Sequence, residues 1–421
     1  MSSPVTQIPA ATIQDDFTTV LSEVHAGIIP SENIWLSCYK DGEPSVHGKI
    51  AASLHEQDRD RVELVGTGGV ELRRTSQLRY TARCVGLGID SVDFVSPTEV
   101  YADPLHSDEK RPRQIPSFAI ANGLLVTALL DGTISVYNRP PSPSATATYP
   151  IPTAHAIRPF AASKLHKSVV NALEILSASS SSRPLLASAG SDFAIHLSPL
   201  PTASESSTTP DTLAPLLSLK GHLGAVTALL PQPTDSLLSA SADGSLRKWD
   251  ARSGAQQAMW TMPKPALALA DDASGSGVAW VALSDGSVQQ VDARASAGGG
   301  TSAETWSAGV PARAIAVSAD GREIALGAAE GTSALFDVRR GSVRERWRRS
   351  GAPVECVSFA PGGRVVVGGE DGLPYVVDFA GGGADVSELV FGNVEAVRAL
   401  RVSEELVYIA GDGGVVRKYR L

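Results

Sequence analysis

From Leu124 to the C-terminus, the chain repeats a short apolar stretch that ends in small residues, then a tight polar turn, then a second apolar stretch. The stretches before the turns read LLVTALL, LLASAGS, LLSASA, VAWVALS, EIALGAA, RVVVGGE and LVYIAGD. Short apolar runs bounded by turn residues predict β-strands. Because their small residues would let neighbouring sheets approach closely, we expect an all-β protein built from repeated small sheets.

The turns give this repeat a fixed frame. The first turn residue is Asp in five frames, and the second is Gly in six, as seen in the pairs Asp131-Gly132, Asp192-Phe193, Asp243-Gly244, Asp285-Gly286, Glu330-Gly331, Asp371-Gly372 and Gly413-Gly414. Asp-Gly favours a two-residue hairpin turn of type I′, which needs positive φ at both central residues. We therefore expect a hairpin of that type in each frame, and we number the frames as repeats 1 to 7.

The spacing of the turns identifies the architecture. Successive first turn residues are 61, 51, 42, 45, 41 and 42 positions apart, and a period of about 40 to 45 residues is typical of four-stranded propeller blades. Residues 221–250 also carry the Gly-His and Trp-Asp pairs that mark the ends of a WD repeat. The sequence predicts a seven-bladed WD-repeat β-propeller over residues 91–421, with insertions in its first two repeats.

The last repeat ends at its third strand, GGVVRKYRL. A propeller must close its ring, and an unpaired strand edge favours aggregation. We therefore predict that the outer strand of repeat 7 comes from the β-rich stretch between Ile89 and Tyr101.

Residues 1–90 do not follow the repeat. Ile13, Phe17, Val20, Leu21 and Val24 have helical spacing, and they precede four stretches that read as strands. This pattern predicts a small α+β N-terminal domain. Two Ser-, Thr- and Pro-rich inserts, at 140–152 and 199–215, are predicted to be surface loops.

Repeat 3 alone has His222, Ser239, Asp243 and Trp249 at the positions of a buried hydrogen-bonded tetrad. A His-Ser-Asp set also suggests a hydrolase, but function must be argued from a site rather than from a set of residue types. We interpret these four residues as a structural tetrad.

Composition and motifs argue against catalysis, metals and nucleic acid. The net charge is −9, which repels nucleic acid and anionic membranes and favours a basic protein partner. No hydrolase, zinc-protease or Walker motif is present, and the eight His residues include no pair at metal-ligand spacing. We expect no enzyme activity, cofactor or bound metal, and no contact with nucleic acid or membrane.

Two further features bear on location and surface. The three scattered Cys residues fit a reducing compartment, and no stretch resembles a signal peptide or a membrane span. We therefore expect a cytoplasmic and nuclear protein. The Arg-rich run from Arg339 to Arg349 is interleaved with Asp337 and Glu345 and is predicted to be a solvated sheet edge.

The N-terminal segment ENIWLSCYKDGEPSVHGKI, together with RSGAPV at 349–354 and the closing VSELVFGN and GGVVRKYRL, resembles the proteasomal ATPase-associated factor family. The resemblance implies a seven-bladed propeller behind a small N-terminal domain. It also implies a chaperone that binds the C-terminal domain of one proteasomal ATPase subunit and assists assembly of the regulatory particle base. The alternative is a permanent scaffold, such as a ubiquitin-ligase substrate receptor or a chromatin adaptor. We expect the protein to be a monomer.

Negative charge gathers on one sector of the predicted rim. In repeats 6 and 7 the turns and first-strand starts hold Glu355, Glu370, Glu395 and Asp412, whereas repeats 1 to 3 have uncharged residues just before their turns. Several ion pairs to a basic domain would together speed encounter and weaken as salt rises. We predict that these four residues contact the ATPase domain, whereas Asp371 holds its turn.

Overall fold

The computed structural model describes residues 4–105, 113–121, 123–142, 147–176, 183–201, 210–233, 235–271, 277–294, 301–307, 311–392 and 396–421. The helix α1 spans Phe17–His25, and short 3₁₀ turns lie at Val85–Leu87 and Pro361–Gly363. Before repeat 1 the strands are β1 Thr6–Gln7, β2 Ala10–Ile13, β3 Ser31–Tyr39, β4 Val46–Leu54, β5 Val62–Thr67, β6 Val70–Arg74, β7 Arg79–Cys84, β8 Ile89–Val95 and β9 Glu99–Ala102.

The strands of repeats 1 to 4 follow in chain order. They are β10 Ser117–Ala121, β11 Leu124–Ala128, β12 Thr133–Asn138, β13 Thr153–Ala156 and β14 Ala161–Lys164; β15 Val170–Leu176, β16 Leu185–Gly190, β17 Ile195–Pro199 and β18 Leu217–Leu219; β19 Val226–Gln232, β20 Ser236–Ser241, β21 Ser245–Asp250 and β22 Gln256–Thr261; and β23 Ala266–Asp271, β24 Val278–Leu283, β25 Ser287–Asp292 and β26 Thr301–Ser307.

The strands of repeats 5 to 7 complete the chain. They are β27 Ala312–Val317, β28 Glu323–Ala328, β29 Thr332–Asp337 and β30 Ser342–Arg348; β31 Val354–Ala360, β32 Arg364–Gly369, β33 Tyr375–Asp378 and β34 Asp385–Leu389; and β35 Val397–Ser403, β36 Leu406–Gly411 and β37 Val415–Arg420. Within each repeat these strands pair antiparallel in chain order, except that β12 pairs with β14. The prediction of an all-β, propeller-like fold is confirmed.

The first strands of successive repeats pack against each other in order, from β10 to β35, and β35 also contacts β10. Small residues permit this close approach. A Cβ atom on Gly327 would clash with Val354 of the next repeat, and one on Gly368 would clash with Val397. The small residues before each turn therefore mark where one sheet packs on the next.

The turn between the second and third strands differs from the predicted type I′ hairpin. Gly132 donates its N–H to the Leu129 carbonyl at 3.1 Å, and the same four-residue turn recurs in every frame. Only the second residue of each predicted pair has positive φ, for example Gly244 at 76°, whereas Asp243 does not. Type I′ was wrong: the turn begins one residue earlier than a type I′ turn centred on each pair, and its last residue adopts the left-handed conformation.

The outer position of repeat 7 is filled from the N-terminal part of the chain. β9 pairs antiparallel with β37 at the end of the predicted donor stretch, and β13 pairs with the far edge of β9. The earlier part of that stretch, β8, instead pairs parallel with β34 and extends the sheet of repeat 6. The donated segment therefore serves two repeats, because it passes along both outer edges.

The strands before β9 join three sheets, and β1 pairs parallel with β30 in the sheet of repeat 5. β2 to β5 make a second sheet, and β6 to β8 continue the sheet of repeat 6. Phe17, Leu21 and Val24 of α1 are fully buried in a core shared with the latter two sheets. Tyr149, from the first predicted insert, is buried in the same core, while 143–146 and 202–209 of the two inserts lie outside the described residues.

The predicted solvated edge from Arg339 to Arg349 is wrong at its last residue. The Arg349 guanidinium is buried and pairs with the Glu388 carboxylate, and it lies 4.7 Å from the centre of the Tyr375 ring. Glu388 also accepts a hydrogen bond from the Ala11 backbone at 2.8 Å. The ion pair thus connects the N-terminal segment to repeat 6.

Over the described residues, the single α-helix is too short to span a bilayer.

Candidate protein-interaction site

Two of the four predicted rim carboxylates contact one arginine, and a third pairs with a second arginine. Arg398, the second residue of β35, donates from Nε to Asp412 Oδ1 at 3.0 Å and from a terminal nitrogen to Asp412 Oδ2 at 3.1 Å. The other terminal nitrogen lies 3.4 Å from Glu370 Oε1. Glu355 pairs with Arg313 at 2.7 Å. The fourth residue, Glu395, lies outside the described residues.

The electrostatics of this acidic rim cluster, defined as Glu355, Glu370 and Asp412, are set by those two arginines. Hydrogen bonds from Arg398 to Asp412 raise the pKa of the guanidinium, with further contributions from Glu355 and Glu370. Burial raises the pKa of Glu355, although Arg313 opposes that shift. Three carboxylates face two guanidiniums, so the formal charge of the cluster is −1 when all three carboxylates are ionised.

The members of the acidic rim cluster differ in the exposed fraction of their side chains. The Glu370 side chain is 39% exposed, whereas those of Glu355 and Asp412 are 18% and 5% exposed. Glu370 is therefore the group best placed to meet a partner directly. Asp412 acts mainly by fixing Arg398 at the rim, where the guanidinium orients Glu370.

Asp371 has a different environment from its neighbour Glu370. Its carboxylate accepts a hydrogen bond from the Ser350 hydroxyl at 2.8 Å and one from the Leu373 backbone at 3.2 Å. Both partners lie in the adjoining loop and turn. These bonds hold the turn between β32 and β33.

The four residues of the repeat 3 tetrad lie in one hydrogen-bonded chain. Trp249 Nε1 donates to Ser239 Oγ at 2.8 Å, and Ser239 Oγ lies 2.7 Å from His222 Nε2. His222 Nδ1 lies 3.1 Å from Asp243 Oδ2. The His–Asp contact makes Nδ1 the protonated nitrogen, so that Ser239 donates to Nε2. The tetrad thereby joins the second and third strands to the loop before the repeat.

Burial explains why this His-Ser-Asp arrangement favours structure over hydrolysis. Ser239 is 0% exposed and its oxygen already accepts the indole N–H, so no substrate carbonyl can reach it. Burial lowers the pKa of His222, although Asp243 opposes that shift. Burial alone would raise the pKa of Asp243, but hydrogen bonds from Ser245 and the Leu223 backbone hold it below its usual range.

Repeat 2 has a shortened form of the tetrad. His166 lies 2.9 Å from Asp192 Oδ1 and 2.8 Å from Ser188 Oγ. Ser198 replaces the tryptophan, and its buried hydroxyl has no hydrogen-bond partner within the described residues. Repeat 2 therefore lacks the bond that anchors the third strand in repeat 3.

The two arginines that pair with the acidic rim cluster were not predicted from the sequence. Arg313, Glu355 and Arg398 each occupy the second position of the first strand in their repeats. When repeats 5, 6 and 7 are aligned at that position, the residues are Arg, Glu and Arg, so the sign of the charge alternates. No group of His, Cys, Asp or Glu in the described ranges has the arrangement of a metal site.

Comparisons with known proteins agree on the fold. Residues 213–250 match the family model described as WD domain, G-beta repeat, so the chain contains a WD40 repeat. In structure, 1562 solved chains match. One is the WD40 beta propeller domain of Doa1, at a TM-score of 0.57 and 15% identity, covering 77% of this chain and 96% of that chain. No curated protein sequence matches.

These likenesses establish a WD40 propeller-like fold and nothing finer, since identity of 15% is too low to carry function. WD40 propeller domains are generally non-catalytic scaffolds for protein interactions. The chain is therefore a candidate interaction scaffold, and its partner must be argued from the surface.

Proposed function

We propose that this chain is a non-catalytic protein-binding chaperone for the C-terminal domain of a proteasomal ATPase subunit, and that it assists assembly of the regulatory particle base. The acidic rim cluster carries the proposal, because Arg398 holds Glu370 and Asp412 together on one sector. The choice of partner rests on the resemblance of the N-terminal segment and the C-terminal third to the proteasomal ATPase-associated factor family.

The proposal includes the architecture. Residues 91–421 form a seven-bladed propeller, closed by β9, and residues 1–90 form an accessory domain; the packing of β10 on β35 and the pairing of β9 with β37 support this closure. The protein acts as a monomer in the cytoplasm and nucleus, without cofactor, nucleic acid or membrane.

Binding through the cluster has a defined physical signature. Exposed ion pairs contribute about 0 to 1 kcal/mol each, but several pairs facing a basic domain act together and raise the association rate. Glu395, which stands two residues before β35 in the sequence, is assigned a further contact by the proposal. Affinity should therefore fall as salt increases, because screening weakens every pair.

The test removes the charges without changing side-chain size. The rim variant carries Glu355→Gln, Glu370→Gln and Asp412→Asn. The control carries Asp385→Asn, Glu404→Gln and Glu405→Gln, which lie in repeats 6 and 7 at the opposite ends of the strands. Calorimetry at low and moderate salt measures the affinity of both variants for each ATPase C-terminal domain. Circular dichroism checks that both variants fold.

We expect the rim variant to lose affinity at least tenfold at low salt for one ATPase domain, and the control to bind like wild type. If a folded rim variant binds as tightly as wild type, the partner binds at another surface.

Affinity purification distinguishes the alternative scaffold role. A chaperone brings free base subcomplexes and little mature proteasome, whereas a ubiquitin-ligase or chromatin scaffold brings stoichiometric unrelated subunits.

A further inference from the structure

A cleft runs between β5 and β6, far along the chain from the acidic rim cluster. The two strands are joined by Gly68 and Gly69 and meet near that turn, where a Cβ atom on Gly66 would clash with the Val70 carbonyl. The two strands belong to different sheets. Two adjoining cavities of about 520 and 420 Å³ fill the gap, and Leu64, Leu72 and Arg73 line both.

The cleft follows a free sheet edge. Residues 72–74 of β6 and 75–77 of the turn that follows line the larger cavity. Because consecutive strand residues point to opposite faces, the cavity borders the end of the β6 edge rather than one face. β6 is the terminal strand of its seven-stranded sheet, and β5 is terminal in the neighbouring sheet. Within the described residues no strand pairs with either outer edge. Edges of this kind offer backbone N–H and C=O groups to an extended peptide.

The wide end of the cleft is basic. Arg61, Arg73 and Arg74 line the larger cavity, and no acidic side chain joins them there. Arg61 and Arg73 are exposed and form no ion pair within the described residues. This local positive charge stands out on a chain whose net charge is −9.

Arg74 is held in place at the floor of the wide end. Its guanidinium lies 4.0 Å from the centre of the Tyr149 ring, and Nε donates to the Ser76 carbonyl at 3.0 Å. Tyr149 is itself fixed, because its hydroxyl accepts the Val62 N–H at 2.9 Å. The basic end is therefore preorganised, which lowers the entropic cost of binding.

We propose that this cleft binds an extended acidic segment of another protein, which adds to the edge of β6 as a further strand. Leu64 of β5 would contact its apolar side chains, and Arg61 and Arg73 its carboxylates. Pairing with a sheet edge supplies affinity through the backbone, and alternate side chains supply specificity. This surface is separate from the acidic rim cluster and has the opposite charge.

The test uses the full chain and a labelled, acetylated octapeptide of alternating Val and Glu, with a Val and Lys octapeptide as its counterpart. Fluorescence anisotropy measures affinity for wild type, for the cleft variant Arg61→Gln/Arg73→Gln, and for the control Arg339→Gln/Arg340→Gln, which removes two exposed arginines from repeat 5. Hydrogen exchange then reports the backbone of β6.

We expect the Glu peptide to bind wild type and the control alike, and the cleft variant at least tenfold more weakly. The bound peptide should slow exchange of amides in 70–76. Absence of binding to wild type, equal binding of the Lys peptide, or binding without slowed exchange would overturn the proposal. Oligouridylate binding as tightly as the Glu peptide would instead indicate a general anion site, and would also overturn it.

Discussion

Lys418 of β37 donates a hydrogen bond to Glu99 of β9, with 2.6 Å between Nζ and Oε1, and both side chains are buried. The two residues are partners across the antiparallel pair that completes repeat 7. Glu99 also accepts from Tyr101 at 2.8 Å and contacts His155 of β13 at 3.0 Å. One carboxylate therefore connects the last strand to two strands from earlier in the chain.

Lys418→Met should destabilise the fold by about 3 kcal/mol, because removing one member of a buried pair leaves an uncompensated charge. Glu99→Gln/Lys418→Met should recover part of that loss. Denaturant unfolding measures both, with Lys40→Met as control, since Lys40 belongs to an exposed pair with Glu43. If Lys418→Met unfolds at the wild-type denaturant concentration, the pair does not secure closure.

Local chemistry made much of this fold predictable. The recurrent turn pair located every repeat, since positive φ at one position selects Gly in six frames and the apolar stretches on either side have strand length. The tetrad was also visible, because its members lie within 28 residues of one another, between His222 and Trp249.

Apart from the strand that completes repeat 7, long-range contacts could not be predicted. Arg349 and Glu388 are 39 residues apart, and their burial depends on how the N-terminal segment covers them. The same applies to β8, whose sequence reads as a strand but does not show which repeat it joins. Arg398 was missed because its neutralising role appears only when separate turns come together.

Ser239→Ala should lower the free energy of unfolding by about 1 to 3 kcal/mol, because two buried groups lose a partner. These are the Trp249 indole N–H and the His222 imidazole. Ser188→Ala in repeat 2 is the matched comparison and should cost less, since Ser188 bonds only His166 among these residues. Thermal and denaturant unfolding measure both; a larger loss for Ser188→Ala would contradict the tetrad account.

Acidification from pH 7 to pH 5 should destabilise the protein in part through His222. Burial lowers the pKa of this imidazole in the folded state, so the unfolded chain binds the proton first as the pH falls. A depressed pKa gives stability that is present above the unfolded value and is lost below it. His222→Gln should therefore show a shallower fall in melting temperature over this range.

The control for that experiment is His47→Gln, which removes an exposed imidazole from β4. Its melting temperature should follow the wild-type pH dependence. An unchanged slope in His222→Gln would show that His222 does not contribute to the acid sensitivity.

Phe193→Gly should stabilise repeat 2. Phe193 has φ of 67° at the turn position where the other six repeats have Gly, and its side chain is 46% exposed. The left-handed conformation costs a residue with a Cβ roughly 1 to 2 kcal/mol, while the greater freedom of glycine in the unfolded chain offsets roughly 0.5 to 1 kcal/mol. The net gain in the free energy of unfolding should be about 0.5 to 1 kcal/mol, measured by denaturant unfolding.

Gly286→Ala, at the equivalent position in repeat 4 with φ of 84°, should shift stability in the opposite direction. If Phe193→Gly destabilises the protein, the contacts of the half-exposed Phe193 ring stabilise the fold by more than the left-handed backbone conformation costs.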